Sequence, residues 1–381
     1  MQIFETNQTT SDIYQRALSL CISKNFAEKQ YGKMNTVHFQ GSEQESRRRE
    51  LLGVEIKAQQ EKIIAAHGKE HFRNQVMELF YSQVRNQVNE EFDNKTNLYY
   101  NVLRIKDAAP TILELLSLKA ISINRIKPLV TSLYWLSTDI INLVNKPHYR
   151  KRSNVQVNDA KLALSFLGLD NLKLVMPTFI LKHWLPNSTE PYGLMKRKLW
   201  NDSLSVALAA SILARREGLD RYTAFTTGML SNIGQLAVTR CFLTTYSEVY
   251  ETELHQAFES KDKHLHDVLV KIDSAPELLL EQLVLRSSTL SADLIELMQF
   301  DRLQITEAMF DLAYCENITK MCPVAQLVAK AKAFVSYRSL ASACLIDDDE
   351  TKQLFDSVKL NSAEVSLLNK SDIDHIKLKF N

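Results

Sequence analysis

Two histidines stand at a spacing that could hold a metal ion. They lie in the segment His67-Gly68-Lys69-Glu70-His71. Histidines four residues apart share one face of a helix and can both bind zinc. However, Gly68 weakens the helix that would carry them, and the sequence offers no third ligand. The pattern therefore favours two histidines on a solvated helix face over a zinc site.

The cysteines provide neither a second metal site nor a disulfide framework. They are scattered and odd in number: Cys21, Cys241, Cys315, Cys322 and Cys344. Cys315 and Cys322 are seven residues apart, with no second pair or histidine cluster at zinc spacing. This usage is typical of separate thiols in a reducing compartment.

A third cluster combines positive charge with an aromatic ring. It consists of Lys146, His148, Tyr149, Arg150, Lys151 and Arg152. A loop of this composition could bind a phosphate backbone or an acidic protein surface. The whole chain carries 46 basic and 45 acidic residues, a net charge of +1, so no wider positive field supports nucleic-acid binding. We interpret the cluster as a solvated loop and keep an interaction loop as the alternative.

Helices must position all of these residues. The 381 residues include only 9 glycines and 8 prolines, fewer than turn-rich β folds need. The signature Ser42-Glu43-Gln44-Glu45 resembles a capping box that opens a long helix. An apolar stripe at three- and four-residue steps follows it, formed by Phe72, Val76, Leu79, Phe80, Val84, Val88 and Phe92. The sequence therefore predicts an all-α protein.

Changes in pattern divide the chain into three regions. Residues 1–105 form an N-terminal helical region, whose apolar stripe is a candidate docking or homodimerisation element. Residues 106–345 form the main domain, in which the linker Pro186–Gly193 separates lobes at 106–185 and 194–345. Residues 346–381 form an acidic tail with one helix at 351–369. Helices are predicted in the second lobe around 222–238, 276–286, 290–299, 303–314 and 323–343.

The ends and the apolar runs favour a cytoplasmic protein. The segment Met1–Asn7 is polar and lacks the basic and apolar regions of a signal peptide. No apolar run approaches the ~18 residues that span a bilayer. We expect no membrane association and a cytoplasmic location.

Two stretches together resemble the HDOD signalling domain, a branch of the HD superfamily. The first is Ile140-Ile141-Asn142-Leu143-Val144-Asn145-Lys146-Pro147-His148-Tyr149, with lysine where the family has serine; Ala160–Leu167 and Gly168 follow it. The second is the Trp200–Ala214 helix followed by the Phe225–Leu236 helix. Their order and spacing cover about residues 106–345, although Pro128 departs from the pattern. The resemblance implies an HD-like bundle in two helical lobes.

The metal positions of HD enzymes are replaced in this chain. Asp202 matches a histidine ligand, and Ser231 and Asn232 match the adjacent His-Asp pair. Further histidines would be expected across 286–312, and that segment contains none. A hydroxyl, a carboxamide and one carboxylate neither hold a hydrolytic metal nor lower the pKa of its water. Gly228 and Gly234 flank the replaced pair within one predicted helix and indicate close backbone approach.

The resemblance implies a non-catalytic regulator of bacterial signal transduction that acts through protein contacts, with no catalytic residue, metal or cofactor. The partners it implies are sensor kinases, response regulators or cyclic-dinucleotide enzymes. One alternative is a phosphohydrolase or cyclic-nucleotide phosphodiesterase with atypical metal ligands. Another is a nucleic-acid-binding regulator, or a retained pocket that binds a nucleotide without hydrolysing it.

Overall fold

The computed structural model describes residues 1–31, 53–147, 149, 156–272 and 274–378, with the backbone alone for 53–67. Across these ranges the chain is helical and has no β-strand, which confirms the all-α prediction. In chain order the helices are α1 (Gln2–Glu5), α2 (Gln8–Ile22), α3 (Lys24–Gln30), α4 (Gly53–Asp93), α5 (Lys95–Asn97), α6 (Ala108–Ser117), α7 (Ile123–Ser132), α8 (Tyr134–Val144), α9 (Ala160–Trp184), α10 (Met195–Glu217), α11 (Arg221–Leu230), α12 (Ile233–Glu259), α13 (Lys263–Leu269), α14 (Pro276–Leu297), α15 (Thr306–Tyr314), α16 (Pro323–Ser342), α17 (Asp348–Ser357) and α18 (Ser362–Asn369). A π-helix at Leu98–Val102 and a 3-10 turn at Ile318–Lys320 complete the set.

The long helix α4 uses its C-terminal half to pack on the rest of the protein. Most of the predicted stripe is buried there, namely Val76, Phe80, Val84, Val88 and Phe92. The Phe80 ring meets Tyr246 of α12 edge-on, with centroids 5.3 Å apart. Phe72 and Leu79 were predicted in the same stripe but remain 38% and 66% exposed, because they lie outside the face that meets α12. The predicted capping box at Ser42 lies outside the described residues.

The N-terminal helices pack directly on the second lobe. Helix α2 contacts α14, α16 and α17. Arg16 of α2 binds both carboxylate oxygens of Glu350 in α17, at 2.9 and 3.0 Å, and donates to the backbone oxygen of Leu345 at 2.7 Å. Its guanidinium also lies 4.1 Å above the Tyr31 ring. Residues 8–22 and 348–357 therefore stabilise one another on this lobe.

Helix α9 in the first lobe is two helical segments joined at Gly168. This residue has φ +70° and ψ 164°, so the positive φ expected of a glycine at this helix end is present, with an extended ψ in place of the left-handed helical one. Asp159 caps the first segment by accepting from the Leu162 N–H at 3.1 Å. By length and composition α9 is apolar enough to cross a membrane, contrary to the sequence-based expectation. However, 56% of its most apolar stretch is buried in the fold, and a helix in a protein core can be equally long and apolar.

Several predicted helix boundaries in the second lobe and in the C-terminal tail are wrong. The helix predicted at 222–238 is divided into α11 and α12, whereas those predicted at 276–286 and 290–299 form the single helix α14. The helix predicted at 351–369 is α17 and α18, because capping boxes formed by Asp347 with Glu350 and by Asn361 with Glu364 each start a helix. The predicted linker at 186–193 is free of helix.

Candidate functional site

The residues that match the lost metal pair lie at a break between two helices. Ser231 ends α11, and its hydroxyl donates to the backbone oxygen of Gly228 at 2.8 Å. Asn232, with φ −106° and ψ 12°, precedes the first residue of α12. Both residues are buried. The pair therefore lies at a junction from which α11 and α12 diverge, and not inside one continuous helix as predicted.

The two flanking glycines allow neighbouring helices to approach this junction, as the sequence indicated. A Cβ on Gly228 would lie 2.8 Å from the Cα of Ala207 in α10. A Cβ on Gly234 would lie 1.9 Å from the backbone oxygen of Ser287 in α14. Since neither contact tolerates a side-chain atom, α10 and α14 approach the break at backbone distance.

Four elements supply polar groups around the break. The backbone oxygen of Ser231 accepts from the Lys332 Nζ of α16 at 3.0 Å and lies 3.4 Å from the Ser291 hydroxyl of α14. The Asn232 amide donates to the Ser203 hydroxyl of α10 at 3.3 Å. Asp202 precedes Ser203 on α10 and borders the same small cavity as Asn232 and Lys332. The structure thus brings all three predicted positions together and adds a lysine.

Burial shifts the proton equilibria of the charged groups in this cluster. Desolvation raises the pKa of Asp202 to about 6, against the opposing charges of Lys198 and Arg338. Desolvation lowers the pKa of Lys332 to about 7. Both shifts favour the neutral form, because a charged group at this position loses its hydration and does not regain it through opposite charges or hydrogen bonds.

The cavity at the break is closed by the N-terminal helices. Its volume is about 50 Å³, and α2 contributes the Tyr14, Leu18 and Cys21 side chains to its wall. Burial raises the pKa of the Tyr14 hydroxyl to about 12, and it also raises that of the Cys21 thiol. One water molecule takes up about 30 Å³ in the liquid, whereas small-molecule pockets usually exceed about 300 Å³. The space is therefore sufficient for water but not for a nucleotide.

These residues do not fit the metal that HD enzymes use. The Ser231 hydroxyl donates to the Gly228 backbone oxygen, the Asn232 amide nitrogen faces Ser203, and the Lys332 amine donates to the Ser231 backbone oxygen. Catalytic metals of this class need imidazole and carboxylate donors. Within the described part of the chain, no three histidine, cysteine, aspartate or glutamate side chains are grouped so that they could hold a metal ion.

The other sequence-predicted sites lie elsewhere. Glu70 and His71 are exposed on α4, while the His67 side chain is outside the described residues. In the basic cluster, Lys146 and Tyr149 are described, whereas His148, Arg150, Lys151 and Arg152 are not. Asn145 joins the two ends of this loop, because its side chain donates to the Val157 oxygen at 2.7 Å and accepts from the Val157 N–H at 3.0 Å.

Sequence reasoning missed Lys332 and the cover formed by α2. Lys332 lies among the alanines of Ala329-Lys330-Ala331-Lys332-Ala333, all three of which are buried. Small residues on both sides of a lysine indicate close helix packing around it, which is the one signal that could have identified this position. No sequence signal places α2 over the break.

Three solved structures are similar to this chain. The "Putative phosphohydrolase" from Shewanella amazonensis SB2B is 16% identical over 76% of this chain and 95% of its own, with a TM-score of 0.47. The "Putative metal-dependent phosphohydrolase" from the same organism is 17% identical over 77% of this chain and 95% of its own, with a TM-score of 0.42. The "Putative signal transduction protein" from Marinobacter aquaeolei VT8 is 18% identical over 76% of this chain and 66% of its own, with a TM-score of 0.43.

None of the curated proteins matches the chain. A family model does, however: the HDOD domain model matches residues 103–276. That range contains Asn145, the break at Gly168, the α10 helix with Asp202, and the junction at Ser231 and Asn232. The chain therefore contains an HDOD domain.

Proposed function

We propose that this protein is a non-catalytic regulator that acts in signal transduction through contacts with other proteins, in the cytoplasm of a bacterium. The observation that carries the proposal is the hydrogen bond from Lys332 Nζ to the Ser231 backbone oxygen at the position of the lost metal pair. A metal-dependent hydrolase needs a cation at this place to lower the pKa of a water molecule. Here a side-chain amine borders a cavity too small for a phosphate ester.

The packing around the break supports a scaffold role. Gly228 and Gly234 keep α10, α11, α12 and α14 at backbone distance, so the architecture of the domain persists without its ligands. Such a rigid core can present outer helices and loops to a partner. The partners that the HDOD resemblance implies are sensor kinases, response regulators and cyclic-dinucleotide enzymes.

The first experiment tests the absence of metal chemistry. The purified full chain would be incubated with Mn²⁺, Fe²⁺ or Zn²⁺, desalted, and measured for bound metal and for hydrolysis of bis(p-nitrophenyl) phosphate. We expect no stoichiometric metal and no metal-dependent hydrolysis. Stoichiometric metal together with hydrolysis, both lost in Asp202→Asn, would overturn the proposal. His71→Ala is the matched control, because metal lost in that variant would come from α4.

The second experiment tests the partner class. The tagged full chain would be crosslinked in native lysate and captured, and the enriched proteins would be quantified. Enrichment of a kinase, a response regulator or a cyclic-dinucleotide enzyme, followed by binding of that purified protein, would support the proposal. Repeated capture of none of these classes would contradict it.

A further inference from the structure

A second cavity lies between the π-helix Leu98–Val102 and α12. Its volume is about 280 Å³, and its wall includes two guanidinium groups, from Arg104 and Arg240. The Asn101 amide and the Thr244 hydroxyl belong to the same wall. Side chains that can donate hydrogen bonds therefore line a space large enough for a small molecule, and none of them lines the small cavity at the Ser231 junction.

Arg240 has no acceptor in the described part of the protein. It is partly buried in α12, and neither it nor Arg104 forms an ion pair or a side-chain hydrogen bond with a described residue. Burial lowers the pKa of Arg240, and the positive charge of Arg104 lowers it further. Arg240 is only partly buried and Arg104 is exposed, and no described carboxylate pairs with either of them. Both guanidinium groups at this cavity are therefore free to bind an anion from outside the chain.

The backbone that places Arg104 is locally unfavourable. The π-helix precedes it, and Arg104 itself has φ +56°, a conformation that residues other than glycine rarely adopt. Single π-helical turns and left-handed residues cluster at functional sites. Here both features fall within seven residues, and they bring Arg104 to the same wall as Arg240.

The cavity also has an acidic end. Glu91 of α4 accepts from the Asn97 amide at 2.7 Å, and Glu248 of α12 lines the same wall. Burial raises the pKa of the Cys241 thiol to about 12, and the negative charges of both glutamates raise it further. Glu91 and Glu248 line the same cavity as the two arginines, and neither glutamate forms an ion pair with them in the described part of the chain. The wall of the cavity therefore carries groups of both charges.

We propose that this cavity binds a small phosphate monoester that also carries a cationic or hydrogen-bond-donating group. Arg104 and Arg240 bind the phosphate, since guanidinium groups match its oxygens in geometry and charge. Glu91 and Glu248 accept from the donor group. The volume limits the occupant, because pockets for drug-sized ligands begin near about 300 Å³.

The test is calorimetric titration of the full chain with O-phosphoethanolamine, inorganic phosphate and ethanolamine. We expect saturable binding of one O-phosphoethanolamine, weaker binding of phosphate and no binding of ethanolamine. Arg240→Met should weaken binding about tenfold or more, because it removes a charge-assisted contact. Arg216→Met is the control; Arg216 is an exposed arginine in the last turn of α10, and this substitution should change nothing.

Two readouts separate binding from folding. Arg240→Met should keep or raise the thermal unfolding midpoint of the ligand-free protein, because it removes an unpaired charge. The same variant should lose the increase in midpoint that O-phosphoethanolamine causes in the wild type. In addition, positive charge from Arg240 contributes to the lowered pKa of His183, behind burial as the main cause. Ligand binding should therefore raise the pKa of His183, measured by NMR.

The proposal is overturned if O-phosphoethanolamine shows no saturable binding up to about 10 mM, because a dissociation constant above this concentration is too weak for a specific site. It is also overturned if Arg240→Met and Arg216→Met bind equally. Binding of a phosphotyrosine peptide but of neither small phosphate compound would replace it with a docking site for a phosphorylated protein.

Discussion

Lys332 Nζ lies 3.0 Å from the backbone carbonyl oxygen of Ser231, so that a lysine of α16 hydrogen-bonds to the residue that replaces a metal-ligand position. The lysine is separated from Ser231 by 101 residues, and α10, α11, α12 and α16 all contribute to the surrounding packing. The site therefore has a side-chain amine in place of the donors that a metal ion would need. This relationship gives the first two predictions.

Lys332→Met should stabilise the protein at pH 7. The folded pKa of about 7 lies below the ordinary 10.5, so the unfolded state holds more protons between pH 7 and 10. The free energy of unfolding of the wild type should rise across that window, by up to a few kcal/mol, and the variant should lack this rise. Urea denaturation at pH 7 and pH 9.5 would measure it. A variant less stable than the wild type at pH 7 would contradict the prediction.

Asp202→Asn should show its effect in a different window. The folded pKa of about 6 lies above the ordinary 3.8, so the folded state holds more protons between pH 4 and 6. The wild type should therefore lose stability as the pH rises through this range, whereas the variant should not. Denaturation at pH 4 and pH 7 should give similar stabilities for the two proteins at pH 4 and a more stable variant at pH 7. The opposite order would refute the assignment.

Gly234→Ala should destabilise the protein by at least about 3 kcal/mol, because the new Cβ would lie 1.9 Å from the Ser287 backbone oxygen. Gly68→Ala is the matched control, since Gly68 is exposed and no atom lies within 4 Å of the added Cβ. That change should instead favour the helix by up to about 1 kcal/mol. Chemical denaturation of both variants measures the difference, and equal effects would show that α12 and α14 are not in backbone contact.

Arg16 and Glu350 should be energetically coupled. Their side chains are 11% and 17% exposed and form a two-point ion pair between α2 and α17. A double-mutant cycle with Arg16→Gln and Glu350→Gln should give a coupling of about 1–3 kcal/mol. Arg16→Gln should also speed amide exchange in residues 8–22. Additive effects of the two substitutions would show that the pair does not hold α2 on the lobe.

The sequence by itself determined the helical class, the HDOD resemblance and the identity of the residues at the metal positions. These are local properties: the periodicity of apolar residues, the glycine at 168 and the types of residues 202, 231 and 232. Even the close approach at Gly228 and Gly234 could be predicted. Glycine destabilises a helix, so two glycines in one predicted helix indicate neighbours that leave no room for a side chain.

Only the tertiary structure decided what surrounds those positions. Lys332 and Ser231 meet because α16 packs on α10 and α11, and α2 closes the cavity because it packs on α14, α16 and α17, where Arg16 binds Glu350 more than 300 residues away. The break at Asn232 likewise has no proline and follows from the packing of α12 on α14. Helical periodicity indicates which face of a helix is buried, but it does not indicate which other helix covers that face, and this choice determined the chemistry of the site.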